Sequence, residues 1–253
     1  MKISAIIQAR MNSTRLPGKV LLEVLERPLL GYLVERLQQT TCLDQIVLAT
    51  TVNPEDDQIA LWAESQEVQL FRGDEDDVLD RYYSAAKLFG AQHIMRVTAD
   101  CPLFNPDVAN LVAREYENLS VDYAGTGPSF AEGLDCEIFS FQALEKSWQE
   151  AKLISEREHV TLFIRNHPEL FKKAMLDNDR DDSKYRITVD NQEDFWVVKA
   201  VIENLYGKPD KIFTIQAIKH FLDQHPEIFR LNSHIVRNEG YLKSLQADAL
   251  HTL

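Results

Sequence analysis

The stretch ISAIIQARMNSTRLPGKVL, residues 3–21, sets the reading of the chain. Ile3 to Ile7 is a short apolar run of strand character. The loop after it carries Arg10, Arg15 and Lys19, in a chain whose formal net charge is -13. Net charge describes the whole surface and does not decide what one cleft holds, so this local cluster points to an anion site. A strand, a loop with Gly18 and then a helix aims backbone N–H groups and a helix dipole at phosphate. The competing reading is a solvated basic loop.

The same rhythm continues outward from this stretch. QIVLATT (45–51), VQLF (68–71) and HIMRVT (93–98) repeat the strand character. Leu29, Leu30, Leu33, Val34 and Leu37 recur at helical spacing between them. Asn53-Pro54-Glu55-Asp56 opens a helix, with Pro at the first turn and acids near the positive end. A third helix spans about 76–89 and stops at Gly90, and a fourth follows Asn105-Pro106-Asp107. This alternation predicts an α/β fold, a doubly wound, mostly parallel sheet with helices on both faces. Ligands of such sheets bind beyond the carboxyl ends of the strands. The candidates are therefore Gln8 to Lys19, Thr50 to Asn53, Arg72 to Asp74 and Thr98 to Pro102.

After Leu119 the pattern changes. VDYAG and DCEIFSF read as strands around the loop TGPSFAEG. Helices are expected at about 142–152 and 156–166, the latter with a capping box from Ser155 to Glu158. FKKAML and YRITV read as strands on either side of the polar loop DNDRDDS. Helices at about 191–205 and 214–224 follow. The whole of 1–253 reads as one domain, with about 120–185 as an inserted antiparallel extension of the sheet.

The chain has 253 residues, 45% of them apolar and 26% charged, enough to bury a core without staples. Its cysteines, Cys42, Cys101 and Cys136, are odd in number and far apart, which argues against a disulfide framework or a structural zinc site. A cytoplasmic location fits that usage and the short apolar run at the N-terminus. No apolar run reaches the ~18 residues of a membrane span. The acidic balance argues against nucleic acid as a partner.

The opening loop is neither a Walker A loop nor a dinucleotide fingerprint, because the required glycines are missing. Side-chain cations take their place: Arg suits bidentate grasp of phosphate oxygens, and Lys supplies a compact charge. Asp100 in RVTADCPL directly follows the fourth strand. A carboxylate facing a phosphate site makes sense with a divalent cation between them, and a turn aspartate is the plain alternative. Asp190 in YRITVDNQEDF also ends an apolar run. It reads either as a helix N-cap boxed with Glu193 or as a second carboxylate on the same Mg²⁺. Arg72 reaches the cleft edge after the third strand, and Arg81 reads as a partner of Asp77 on one helix. The histidines show no ligand spacing, and no residue is set up as a nucleophile.

These features together resemble the spore-coat polysaccharide biosynthesis protein F family and, more broadly, the cytidylyltransferases that activate acylneuraminate and 3-deoxy-manno-octulosonate. The motifs are IIQARMNSTRLPGKVL, FRGDEDDVLDRYY, TADCPLFNPD, GLDCEIFSF, EREHVT and ITVDNQEDF, spanning residues 3 to about 205. The resemblance implies a nucleotide-diphospho-sugar transferase type of fold, often dimeric through the inserted strands. It implies that Arg10, Ser13, Arg15 and Lys19 hold the CTP triphosphate and that backbone around Gln8 and Ala9 reads the cytosine. Asp100 and Asp190 would bind Mg²⁺. A sugar hydroxyl would attack the α-phosphate and release pyrophosphate, for surface polysaccharide biosynthesis. Arg10, Lys19 and Asp100 carry the catalytic expectation, Arg72 joins the nucleotide set, and Asp135 and Glu137 are placed on the sugar side. Two alternatives stand beside it. One is a glycosyltransferase of the same fold class, which would want a DxD pair where this chain has Asp100 alone. The other is a nucleotide-binding protein without turnover.

Overall fold

In the computed structural model, which describes residues 1–207, 212–237, 239, 244–245 and 248, the first strand β1 (Ile3–Gln8) lies inside a seven-stranded sheet. A short hairpin, β2 (Glu23–Val24) and β3 (Arg27–Pro28), leads into α1 (Leu29–Gln38). Then β4 (Leu43–Thr51), α2 (Asp57–Ser65), β5 (Gln69–Gly73), α3 (Val78–Leu88), β6 (His93–Thr98) and α4 (Pro106–Leu119) alternate. Next come β7 (Tyr123–Thr126), β8 (Glu137–Ser140), α5 (Phe141–Glu150), α6 (Ile154–Glu158), α7 (Leu162–Asn166) and β9 (Lys173–Leu176). The described elements end with α8 (Gln192–Leu205), α9 (Ile215–Gln224) and α10 (Pro226–Phe229).

The strand order is β5-β4-β1-β6-β8-β7-β9. β1 pairs in parallel with β4 and β6, and β4 with β5; β8 runs antiparallel to both β6 and β7, and β9 is parallel to β7. The α/β fold with its antiparallel extension is thus the one expected. Side chains alternate across the sheet. Ala5, Ile7, Met95 and Val97 pack on one face with Leu33, Leu37, Ile59 and Val112 from α1, α2 and α4. Ile6, Ile94, Tyr123 and Phe139 pack on the other with Leu79, Tyr82, Ala143 and Phe163 from α3, α5 and α7. α8 and α9 form a third cluster with Tyr185, Ile187 and Val189. No described helix is long and apolar enough to cross a membrane.

Local expectations fail where the chain bonds to something other than a strand. YRITV is not a strand. Its backbone bonds to the loop at Glu132 and to Asp100, with one bridge, Glu132 to Arg186. The helix expected at 156–166 is two short helices, α6 and α7. Ser155 lies inside α6, and Glu156 rather than Glu158 accepts the N–H groups of Lys152 and Leu153, at 3.2 and 3.3 Å. Arg81 bonds the backbone carbonyls of Asp74 and Glu75, while the Asp77 carboxylate pairs with Arg157.

Glu137 is buried on β8. Its carboxylate accepts from Arg96 at 2.8 Å and from the hydroxyls of Tyr123 and Thr161, both at 2.7 Å. Burial alone would push its pKa up; Arg96, Arg165 and the hydroxyls outweigh this and hold it at about 2. The folded value lies below the unfolded one, so this stability is present at neutral pH and is lost as pH falls through about 4 to 2. Glu137→Gln strands the Arg96 charge and should cost about 3–5 kcal/mol at pH 7. Denaturant titration of both proteins should show the gap narrowing toward pH 2–3 (~); a gap independent of pH would refute the ion-pair account.

Candidate active site

The strand ends bring the opening loop to one edge of the parallel sheet. Its turn closes on the Met11 carbonyl, which accepts from Ser13 N at 2.9 Å and from Gly18 N at 2.8 Å. Gly18 sits at φ +70°, where a Cβ would also lie 3.2 Å from the Met11 methyl, so glycine serves here for two reasons. Lys19 follows at once and points its largely buried ammonium into the cleft.

Two carboxylates meet that ammonium. Lys19 Nζ lies 3.0 Å from Asp100 Oδ2 and 2.8 Å from Asp190 Oδ1. Asp190 also pairs with Arg15 Nη2 at 2.7 Å and Arg186 Nη2 at 3.0 Å. Burial works against the Lys19 charge, but Asp100 and Asp190 outweigh it and hold its pKa above the ordinary 10.5. Burial likewise opposes the Asp100 charge; Lys19, with the Thr98 hydroxyl, brings its pKa down to about 2. Both groups are ionised at neutral pH.

The pairing depends on a small register difference. The N-cap of α8 is Asn191 and not Asp190, and the boxed acid is Asp194 and not Glu193. Asp194 accepts the N–H groups of Asp190 and Asn191, both at 3.0 Å, and Arg186 Nε at 2.8 Å. Asp190 is thereby released from capping to face the cleft. Val189 N and the Thr188 hydroxyl donate to the Asp100 carbonyl, at 2.8 and 3.1 Å, which holds the two aspartates side by side. Gly133 permits that approach: a Cβ there would lie 2.7 Å from Thr188 N.

The other expected residues are placed as follows. Arg10 lies apart from Lys19's carboxylates, with Glu75 at 3.4 Å. Ser13 Oγ is 3.5 Å from Leu16 N, within the loop. Gln8 and Ala9 end β1 in the sheet: Ala9 N reaches the Ala49 carbonyl at 3.3 Å, and Gln8 O accepts from Ala99 N at 3.0 Å. Gln8 Oε1 is buried, and no group among the described residues bonds it. Arg72 donates to the Thr51 and Asn53 carbonyls and to Asp57, at 2.8, 2.9 and 2.7 Å, so its three nitrogens hold the link from the end of β4 to the start of α2. Asp135 is half-exposed, 3.0 Å from Arg237. Glu137 lies in the buried network under the sheet, with both oxygens engaged. Cys101, beside Asp100, is buried and its thiol pKa is pushed up by burial, so it is an inert neighbour.

Sequence reasoning missed four residues. Asp56, taken for a helix-start acid, is buried and accepts Met11 N at 2.6 Å and the Thr51 hydroxyl. Glu75 accepts from Arg10 and from the side-chain amides of Asn12 and Asn53. Arg186 pairs with Glu132, Asp190 and Asp194. Glu239 pairs with Arg15 at 3.1 Å. Arg186 alone carried a sequence signal, a cation inside an apolar run.

Comparison with known proteins decides between the readings left open. The family model described as Cytidylyltransferase matches residues 4–233. The chain belongs to the cytidylyltransferase family. It is a nucleotidyltransferase, so glycosyl transfer and binding without turnover give way. The chain is 34% identical over 219 residues to the spore coat polysaccharide biosynthesis protein SpsF of Bacillus subtilis, 81% of this chain and 88% of that one. It is 35% identical over 176 residues to a 3-deoxy-manno-octulosonate cytidylyltransferase of Syntrophotalea carbinolica, 66% of this chain and 63% of that one. A solved cytidylyltransferase of Leptospira borgpetersenii superposes with a TM-score of 0.84 at 35% identity, covering 91% of this chain and 97% of that one.

Asp56 gives a test of the loop's support. Asp56→Ala leaves Met11 N–H without its acceptor and should cost about 1–3 kcal/mol. It should also weaken CTP binding, with Asp56→Asn intermediate because it keeps one acceptor oxygen. Thermal melts and calorimetric CTP titrations check both; CTP affinity unchanged in Asp56→Ala would refute a positioning role.

Proposed function

We propose that this cytidylyltransferase transfers CMP from CTP to the hydroxyl of an acidic sugar, releasing pyrophosphate, in the making of a surface polysaccharide. The observation that carries it is the convergence of Asp100 and Asp190 on one cationic atom, Lys19 Nζ, beside Arg15. The SpsF relationship supports the polysaccharide role, and the octulosonate enzyme supports an acidic sugar.

Two carboxylates facing one cation, with room in the coordination shell for phosphate oxygens, is a donor set that suits Mg²⁺. Among the described residues no three acids, histidines or cysteines are grouped so as to hold a metal ion, so the remaining ligands would be substrate oxygens and water. Asp100 and Asp190 would hold the ion, which supplies neutralisation of charge at the α-phosphate. Lys19, released from the aspartates, then serves the phosphates together with Arg15 and Arg10. Gln8 Oε1 offers a buried acceptor to the cytosine amino group. The sugar hydroxyl oxygen forms a bond to the α-phosphorus, and the bond from that phosphorus to the oxygen bridging it to the β-phosphorus breaks. Pyrophosphate carries off that oxygen, and the hydroxyl proton passes to solvent. No protein nucleophile takes part; catalysis is positioning and electrostatics. A homodimer built through the extension strands belongs to the same reading.

The test is pyrophosphate release from CTP and Mg²⁺ with a panel of octulosonic and nonulosonic acids. Release with at least one acid, and none with neutral sugars, is expected; release only with neutral sugars would refute the acidic acceptor. Asp100→Asn should lower turnover by roughly 10²–10³-fold while the melt remains cooperative. Near-normal turnover would show that Asp100 holds no metal.

A further inference from the structure

Side chains described beyond α10 contact residues on both sides of the cleft. Asn232 Nδ2 donates to the Arg186 carbonyl at 3.1 Å and to Asp194 Oδ1 at 2.9 Å. Arg237 Nη1 donates to the carbonyls of Pro128 and Phe130, at 2.9 and 2.8 Å, and Nη2 to Asp135 Oδ1 at 3.0 Å. Glu239 Oε2 accepts from Arg15 Nη1 at 3.1 Å. Further on, Ser244 bonds Glu158 and His159, and Asp248 accepts from Ser155 N. The family match ends at residue 233, so it does not account for the contacts of Arg237 and Glu239.

Arg15 is the point of conflict. Its Nη2 is on Asp190 and its Nη1 on Glu239, so both arms of the guanidinium already hold a carboxylate. A phosphate binds arginine best through two parallel N–H donors. A triphosphate that grips Arg15 through both Nη groups displaces Glu239. Arg237 lies only two residues away on the same backbone, and it ties both ends of the loop that carries Asp135. Movement of Glu239 consequently pulls on that loop.

Building on the CTP reading above, we infer that Glu239 and Arg237 form a latch: Glu239 occupies Arg15 until CTP displaces it, and its release through Arg237 frees the 128–135 loop. Nucleotide thus binds against an internal carboxylate, and its arrival loosens the opposite wall of the cleft for the second substrate.

The test uses CTP with Mg²⁺ on the full chain. Calorimetric titration at low salt should show Glu239→Gln binding CTP roughly two- to fivefold tighter than the wild type, the range of an exposed ion pair. The difference should shrink at high ionic strength. Hydrogen exchange on the wild type should show CTP protecting peptides over 8–20 while exchange rises over 128–135 and 230–240. Equal or weaker binding by Glu239→Gln overturns the latch. So does protection at 8–20 with no rise at 230–240. Absence of CTP binding by the wild type overturns the nucleotide reading, and the latch with it.

Discussion

The Lys19 ammonium, 3.0 Å from Asp100 and 2.8 Å from Asp190, joins parts of the chain 81 and 171 residues away. Two carboxylates brought to one point repel each other unless a cation sits between them. Lys19 supplies it, and the cost of burying its charge is offset by the two negative neighbours. The loop after β1, the end of β6 and the chain leading into α8 are thereby locked to one another. The same three charges make the cleft responsive, because a more highly charged cation and a polyanion can exchange with Lys19 in a single rearrangement.

Everything around that triad arranges its geometry. The parallel pairing of β1 with β6 sets the opening loop beside Asp100. Asp194 caps α8 from within, which frees Asp190, and Arg186 joins the two aspartates from below. Beneath the opposite face of the loop, Asp56 clamps the Met11 N–H. Several buried charges come paired, Arg186 with its acids, Arg96 with Glu137 and Lys19 with Asp100 and Asp190, while Arg36 and Arg81 are held by backbone carbonyls. The acidic surface and the basic loop are compatible because each cation here is answered locally.

The strands of the parallel half were legible because period-2 apolar runs with glycine and proline punctuation report burial directly. The positions of Lys19 and Asp100 followed from the rule that parallel strands end together, whereas Asp190 ends a run that is no strand and is brought to them by the bonds of Thr188 and Val189 to the Asp100 carbonyl. The residues that were not legible act through distant partners. Asp56 looks like any helix-start acid until Met11 is beside it, 45 residues away in sequence. Glu239 reaches Arg15 across 224 residues. YRITV has the alternation of a strand, yet its backbone partners are a loop and Asp100, which only tertiary structure provides. Glu137 sits in an attractive motif, but strand register sets it opposite Arg96, which together with Tyr123 and Thr161 engages both its oxygens.

The most direct measurement is a crystal structure with CTP and Mn²⁺, in which the metal is located by its anomalous signal. The account predicts the metal between Asp100 and Asp190, with Lys19 Nζ moved from both carboxylates onto phosphate oxygens. Lys19 still bridging the two aspartates, with the metal bound elsewhere, would contradict it.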